Sequence, residues 1–320
     1  MTITEYPNGV SSFGAPVMNN KYAGWWGNNI WFVDDIDGNI GNSGKTPTNA
    51  KKTIQQAINL AGPQDTIFVR PRNVTVGAYS GHGYITNVTS NIATGAAMQG
   101  LSIVGTHSGL GIGANSQCAL APVAGLTPAT VLVESPCVTI ENFLIKTVTG
   151  QTGGAIGAVD STNRSWGLTV NNCSFKNFIT YDTATAIGAI MLDNNHWTTI
   201  DNCTFRECYV GVNFGSSGGV IEGLYMNNCD FHGAAAKWDA DIYMGDVKNI
   251  RITNCRFNHA LPAVPAGEKL HYIVMAGTNG TGIICDCYFS LDSANVAANM
   301  TLAGTVLPAH CYGMPSLLDT

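Results

Sequence analysis

Three aspartates within one short segment are the residues best spaced for chemistry. The stretch KWDADIYMGD holds Asp239, Asp241 and Asp246. Because side chains two positions apart in a strand point to the same side, Asp239 and Asp241 can bring their carboxylates close together. Paired carboxylates are the groups that glycoside hydrolysis uses. No arginine, base or second motif accompanies the pair, so a solvated loop or a subunit contact is the favoured interpretation.

A second acidic segment offers oxygen ligands of the kind that calcium prefers. Asp34, Asp35 and Asp37 stand there with Asn39. The glycines of this segment do not fall at the position that an EF-hand loop requires, and the seven histidines are scattered without metal-ligand spacing. We therefore interpret the segment as a turn and predict neither a metal nor a cofactor.

Three tryptophans near the start of the chain have flat faces that can stack on sugar rings. They are Trp25, Trp26 and Trp31. Since they stand beside a predicted short helix, we interpret them instead as apolar side chains that close one end of the core.

Composition limits the class of partner. The 320-residue chain has a net charge of −6, only 11% of its residues are charged, and no apolar run is long enough to span a membrane. Nucleic-acid binding calls for a basic surface, so we predict no nucleic-acid partner and no membrane insertion. The opening residues MTITEYPNGVSSFGAP lack the basic and apolar regions of a cleaved export signal, which favours synthesis in a cytoplasm and free thiols for the ten cysteines.

One phrase recurs through the second half of the chain, which indicates a repeated structural unit. NNCSFKNF begins at Asn171 and is followed by DNCTFREC, NNCDFHGA, TNCRFNHA and CDCYFSLD. Each phrase alternates apolar and polar residues as a strand does, and the alternation shifts just before the cysteine, which marks a bend. An apolar residue three positions before each cysteine gives steps of 30, 26, 26 and 32 residues, measured at Val170, Ile200, Met226, Ile252 and Ile284.

Short bent strands at this spacing predict a solenoid whose coils stack through parallel strands. Equivalent residues of successive coils then lie ~4.8 Å apart, so like side chains stack on like. We expect an inward cysteine column, a phenylalanine stack, and an asparagine column at the bend, where left-handed backbone is tolerated. The columns are Cys173, Cys203, Cys229, Cys255 and Cys287; Phe175, Phe205, Phe231, Phe257 and Phe289; and Asn172, Asn202, Asn228 and Asn254, with Asp286 breaking the last column at the last coil.

This pattern resembles the right-handed parallel β-helix of the pectate-lyase-like superfamily. The segment from Ile30 to Pro71 is similar to the strand, loop and short helix that cover the first coil in such proteins. We expect Thr48 or Asn49 to cap this helix and Gly62-Pro63 to end it. Its buried face is predicted to consist of Ile54, Ala57, Ile58 and Ala61.

The resemblance implies an all-β fold: a right-handed parallel β-helix solenoid with a short N-terminal capping helix and an extended N-terminal arm. We expect the chain to divide into an attachment arm at 1–24, the strand, loop and capping helix at 25–65, the β-helix at 66–290, and a C-terminal cap or tail at 291–320.

The catalytic motifs of enzymes in that superfamily are not matched here. VRPRNV at 69–74 resembles the arginine motif of pectate lyases without its spacing, and SGHG at 80–83 precedes every candidate acid, the reverse of the order in polygalacturonases. A non-catalytic protein is therefore favoured. The alternatives are a polysaccharide-cleaving lyase or glycoside hydrolase that uses Asp239 and Asp241, and a passive glycan-binding adhesin.

The first 24 residues have no periodic pattern, as is common for an arm that lies against a partner. Residues suited to attachment are Tyr6, Val10, Phe13, Pro16 and Val17. The phrase GVSSFGAP, directly before the predicted strand and helix, resembles the start of phage-encoded β-helix proteins. That resemblance implies a bacteriophage virion structural protein, either capsid-decorating or a tail or fibre spike. It further implies assembly in the host cytoplasm, association as a homotrimer, contact with capsid or tail components, and possible contact with glycans.

Overall fold

A computed structural model describes the parts of the chain from which the fold follows. They are residues 11–12, 15–16, 29–70, 85–88, 92–94, 97–106, 118–122, 129–146, 154–159, 165–176, 178, 188–193, 195–215, 221–233, 240–259, 271–289, 300–302 and 304–312.

The described strands, numbered along the chain, form one small antiparallel pair and three parallel sheets. The pair consists of β1 (Ser11–Ser12) and β2 (Ala15–Pro16). Sheet A contains β3 Ile30–Val33, β4 Thr66–Val69, β7 Ser102–Gly105, β10 Thr139–Glu141, β13 Thr169–Asn171, β16 Thr198–Asp201, β19 Ile221–Asn227, β22 Val247–Thr253, β25 Thr281–Cys285 and β28 Thr305–Ala309. Sheet B contains β5 Ile85–Val88, β8 Cys118–Pro122, β11 Phe143–Lys146, β14 Ser174–Lys176, β17 Thr204–Arg206, β20 Asp230–Gly233, β23 Arg256–His259 and β26 Tyr288–Phe289. Sheet C contains β6 Ile92–Ala93, β9 Ala129–Leu132, β12 Gly154–Val159, β15 Gly188–Asp193, β18 Val210–Gly215, β21 Ala240–Met244, β24 His271–Met275 and β27 Met300–Thr301.

From β4 to β27, each coil contributes one strand to each sheet in the order A, B, C, and β3 and β28 add a strand to sheet A at either end. Within a sheet, every strand pairs in parallel with its equivalent in the neighbouring coil, as when Val170 of β13 stands level with Ile200 of β16. The fold is the predicted right-handed parallel β-helix. Sheet A begins with β3 and ends with β28, so its strands extend on both sides of the 66–290 range predicted for the helix.

The phenylalanine stack is confirmed. Phe175, Phe205, Phe231, Phe257 and Phe289 are buried and paired in register on successive strands of sheet B. Consecutive ring centroids lie 4.6–5.0 Å apart, and the rings are within 16° of parallel. The register of the parallel strands therefore brings equal rings face against face along the axis.

The cysteine column is also confirmed, and it explains why cysteine recurs at the bend. All ten cysteines are free thiols. Each column thiol donates to the backbone carbonyl two residues before it, for example Cys203 to Asp201 at 3.3 Å and Cys255 to Thr253 at 3.3 Å. A small apolar side chain that can also donate weakly thus fills the inside of the bend and satisfies a buried carbonyl there.

The asparagine column has the expected left-handed backbone, but its hydrogen bonding is less regular. The φ angles of Asn172, Asn202, Asn228 and Asn254 are 49–54°. Asn172 donates to the side chain of Asn142 at 2.7 Å, whereas Asn254 donates to that of Asn227 at 3.0 Å. Asp286 interrupts the asparagine column, as predicted, but its coil is not the last, because His310 adopts the same left-handed conformation one coil later.

The short helix predicted to cover the first coil is present as α1, Ile54–Ile58. Thr53 is its N-cap: its side chain accepts from the backbone of Gln56, which in turn bonds back to Thr53. The predicted caps Thr48 and Asn49 belong instead to a separate 3₁₀ turn, Pro47–Asn49, because the capping box places the helix start later. The predicted face, Ile54, Ala57, Ile58 and Ala61, is buried.

Trp31 closes the same end of the core, as predicted. It is buried, and its indole N–H donates to Asp65 at 2.8 Å. Lys45 lies over the indole ring at 3.4 Å from the centroid. Trp25 and Trp26 lie outside the described residues. Over the described part of the chain, no helix has the length and apolar character needed to cross a membrane.

Replacing Phe231 by Ala should lower the free energy of unfolding by ~3–5 kcal/mol, because the cavity would interrupt a continuous ring stack. Tyr288→Ala is the matched control, since Tyr288 is an exposed aromatic residue on the same sheet. Urea denaturation measures both variants, and a loss below ~1 kcal/mol for Phe231→Ala would place this ring outside the core.

The column thiols should react slowly with a thiol reagent until the protein unfolds. Burial raises the pKa of the Cys203 thiol, and the hydrogen bond with Cys255 raises that of Cys287 to about 12, so the reactive thiolate is scarce in both. Cys137, which is only partly buried, serves as the internal reference. Mass spectrometry of labelled peptides gives the order of reaction, and equal rates for Cys137 and Cys203 would contradict the packed column.

Candidate functional site

Only one of the two aspartates considered for catalysis, Asp241, lies within the described residues. Asp241 lies in β21 and is only 7% exposed. It stands level with Tyr272 of the next coil, whose ring packs edge-on against Phe257 and Phe289. Burial raises the pKa of the nearby Cys208 thiol to about 12, and the Asp241 carboxylate adds to this effect. Asp241 therefore lies beside the core, and Asp239 lies outside the described residues.

Asp246 has a different role in a turn. Its carboxylate accepts from the backbone N–H of Asn279 at 2.9 Å and from the Asn279 side chain at 3.3 Å. The first of these bonds is the main reason that the pKa of Asp246 is lowered. Asp246 thus joins the turns of two neighbouring coils.

The acidic segment considered for calcium is a turn held by an ion pair. Asp34 is buried, and one of its oxygens accepts from the backbone N–H groups of Ile36 and Asp37 at 3.0 and 3.1 Å. The other oxygen lies 2.8 Å from the Arg70 guanidinium. This agrees with the turn interpretation. Across the described ranges, no group of three His, Cys, Asp or Glu side chains could hold a metal ion.

Most of the proposed attachment residues fall outside the described part of the chain. Tyr6, Val10, Phe13 and Val17 are in this group. Pro16 lies in β2, level with Ser11 of β1, and these two strands pair with each other rather than with sheet A, B or C.

Exposed aromatic residues occur on three successive coils, just before or within the strands of sheet A. They are Trp166, Trp197 and Tyr225, which are 44%, 43% and 37% exposed. We call these three residues the aromatic row. The row was missed in the sequence because its members occupy different positions in their repeats, so no column of like residues marks them.

The backbone at Trp197 is unusual for so large a residue. Its φ of 58° lies in the left-handed region, where the neighbouring coils have Gly167 and Gly223. The Trp197 N–H donates to the carbonyl of Glu222 at 2.7 Å, and Gly167 donates to His196 at 2.7 Å in the same way. A bulky side chain in this region costs free energy and is common where function needs it.

The Trp197 indole packs closely against Gly223 of the next coil. A Cβ added to Gly223 would lie 2.5 Å from Cε3 of Trp197, so glycine alone fits beneath the ring. Two residues after Gly223 in the same strand, Tyr225 stacks on the indole, with ring centroids 6.3 Å apart and planes 19° from parallel. Trp197 and Tyr225 thus form a pair of nearly parallel, partly exposed rings, which we call the platform.

A buried polar network fixes the turns below this platform. The Asn195 side chain donates to the Ser165 hydroxyl at 3.0 Å and also to the Ser165 carbonyl, and it accepts from Thr198 at 2.5 Å. These residues flank Trp166 and Trp197 in the chain. Because buried polar groups that are fully bonded hold one geometry, the network positions both indoles from beneath.

The rim of the platform supplies polar groups. His196 accepts the Glu222 backbone N–H through Nδ1 at 3.0 Å, and the Glu222 carbonyl accepts the backbone N–H of Trp197. Arg251 stands level with Tyr225 on the next coil and is exposed. Flat apolar faces beside polar groups suit ligands that are rings with one apolar face and a hydroxyl rim.

Comparisons with known proteins found similarity to this chain in fold only. No family model and no curated protein sequence matches it. Among solved structures, it is similar to the pectin methylesterase of Aspergillus niger (12% identity, TM-score 0.48, covering 90% of this chain and 87% of that one). It is also similar to the pectate lyase Pel9A (13% identity, TM-score 0.47, 89% and 78% covered) and to ORF18 of Geobacillus virus E2 (13% identity, TM-score 0.38, 82% and 58% covered). At such identities the similarity concerns the parallel β-helix fold alone.

Two substitutions separate the role of Trp197 from that of Gly223. Trp197→Gly removes left-handed strain together with packing, so the free energy of unfolding should change by less than about 1 kcal/mol. Gly223→Ala forces a methyl group against the indole and should lower the free energy of unfolding by about 2 kcal/mol or more. Urea denaturation compares the two variants. Equal losses would mean that Trp197 is required for stability itself.

Proposed function

We propose that this chain is a non-catalytic β-helix protein displayed on a bacteriophage particle, where it contacts glycans through the aromatic row. The observation that carries the proposal is the Trp197 platform. A large indole occupies a backbone position that neighbouring coils give to glycine, and it is left partly exposed beside a second ring.

The cost of this arrangement favours a ligand over a packing role. An indole in the core is stabilised by burial, whereas 43% of Trp197 remains in contact with solvent. The left-handed backbone adds a cost of order 1–3 kcal/mol. Stacking on a sugar ring would cover the exposed face, and the polar rim of His196, Glu222 and Arg251 would bond the hydroxyl groups.

Display on a particle is supported by the unpatterned arm sequence and by the weakly charged chain. The described strands of the arm, β1 and β2, pair with each other and form no ladder with the three sheets. Only 11% of the residues are charged, which lets coil surfaces pack against other proteins with few unpaired charges buried. The predicted homotrimer and its contacts with capsid or tail components remain part of this proposal.

Glycan binding can be tested on an array of neutral bacterial-surface oligosaccharides. The wild-type protein should bind a subset of them, and Trp197→Gly should weaken that binding at least about tenfold, since stacking one ring is worth roughly 1–3 kcal/mol in comparable systems. Tyr312→Ala is the control, because Tyr312 is exposed far along the solenoid from the row. Equal binding by both variants would remove the aromatic row from the proposal, and release of new reducing ends from a bound glycan would refute the non-catalytic role.

The particle role is tested by deleting residues 1–20. The stacked coils form their core among themselves, so the truncated protein should keep its thermal midpoint but fail to join particles of the source phage. Quantitative immunoblotting of purified particles gives the occupancy. Normal incorporation would place attachment elsewhere, and loss of folding would show that the arm belongs to the solenoid.

A further inference from the structure

Four basic side chains form one column on the outer face of sheet B. Lys146, Lys176, Arg206 and His232 stand level on successive strands β11, β14, β17 and β20. The preceding residue of each strand is buried in the core, so alternation directs these four side chains outward. We call them the basic column.

The column is unexpected in a chain of this composition. The protein has 15 Lys and Arg residues against 21 Asp and Glu residues, yet three of the 15 fall in register on consecutive coils. Like charges ~4.8 Å apart on adjacent strands destabilise a sheet. The pKa of Lys146 is lowered, first by partial burial and then by the neighbouring charge of Lys176. A bound anion would relieve this repulsion.

Among the described residues, two acids contact the column. Within the described strands β11, β14 and β17, every charged residue is basic. Glu207 lies 3.9 Å from Lys176, with both side chains partly exposed, where ion pairs contribute little. Asp230 is bonded to His232 at 2.8 Å, at the far end of the column. The centre of the column, at Lys176 and Arg206, is thus a local positive surface on an acidic protein.

We propose that the basic column binds an acidic polysaccharide that lies along the axis of the solenoid. The cations repeat once per coil in a straight line, which suits a polymer with regularly spaced negative charges better than a single small anion. The hydroxyl groups of Ser174 and Thr204 stand beside the column on the same strands and can bond sugar hydroxyls. This surface is on a different sheet from the aromatic row, so the inference is independent of the proposed function.

Single-stranded nucleic acid is the other polyanion to consider, and the face suits it less well. Proteins that bind single strands stack bases on aromatic side chains. The outward residues of β11, β14, β17 and β20 include no aromatic ring apart from His232. Charge without stacking platforms therefore favours the polysaccharide.

The test measures binding of the full-length protein to alginate, a polyuronate, with dextran as the uncharged reference and a single-stranded oligonucleotide as the competing polyanion. Biolayer interferometry should detect alginate but not dextran, and raising NaCl from about 50 to 200 mM should weaken binding by on the order of tenfold, because counterions are released from a polyanion that contacts several cations. Tighter binding of the oligonucleotide than of alginate would overturn the inference.

Matched variants separate the column from net charge. Lys176→Gln/Arg206→Gln should weaken alginate binding about tenfold, whereas Lys52→Gln/Lys248→Gln removes the same charge elsewhere and should change it less than about twofold. Thermal unfolding of both variants confirms that they remain folded. Equal losses in the two variants would show that net charge alone attracts the polymer, and this would also overturn the inference. Unchanged Trp197-dependent binding of neutral glycans would show that the proposed function stands apart from this result.

Discussion

The in-register parallel pairing of successive coils is the constraint on which the rest of this molecule depends. Once β13 pairs with β16 at Val170 and Ile200, every other residue of the two coils has its level fixed. A buried side chain then packs against the side chains at the same level above and below it. This is why the interior contains columns of like residues, with rings on rings and thiols on thiols, within one continuous hydrophobic core.

The same pairing fixes the bends. A left-handed residue must occur at the same level in each coil, or the strands on either side would lose register. Asparagine meets this need between sheets A and B. Before sheet A, the left-handed position is held on successive coils by Cys137, Gly167, Trp197, Gly223 and Asn249. Since the backbone there is set by the neighbouring coils, the indole of Trp197 is held in a fixed orientation.

Several carboxylates in the described coils accept hydrogen bonds from backbone N–H groups at the turns. Asp65 accepts from the backbone N–H groups of Asn29 and Gly62 and from the Trp31 indole, at 2.7 to 2.8 Å. Asp34 and Asp246 do the same in their own turns. In a chain with few charges these acids hold the bends, while the outward faces of sheets A and B differ in character. The aromatic row lies along sheet A and the basic column lies on sheet B, so a single solenoid presents two chemically distinct surfaces.

The sequence by itself determined the coil, because the period of the Cys-x-Phe phrase and the shift in alternation before it follow directly from strand geometry. It also determined the buried helix face, since an amphipathic pattern needs only local spacing. The helix start at Thr53 was missed because several residues near it can cap, and only the docked helix selects one. The tertiary structure alone decided which surface residues meet. Trp166, Trp197 and Tyr225 occupy unlike positions in their repeats. Asp241 is buried and stands level with Tyr272 of the next coil. The neighbours of these residues are therefore fixed by stacking across coils and not by spacing along the chain.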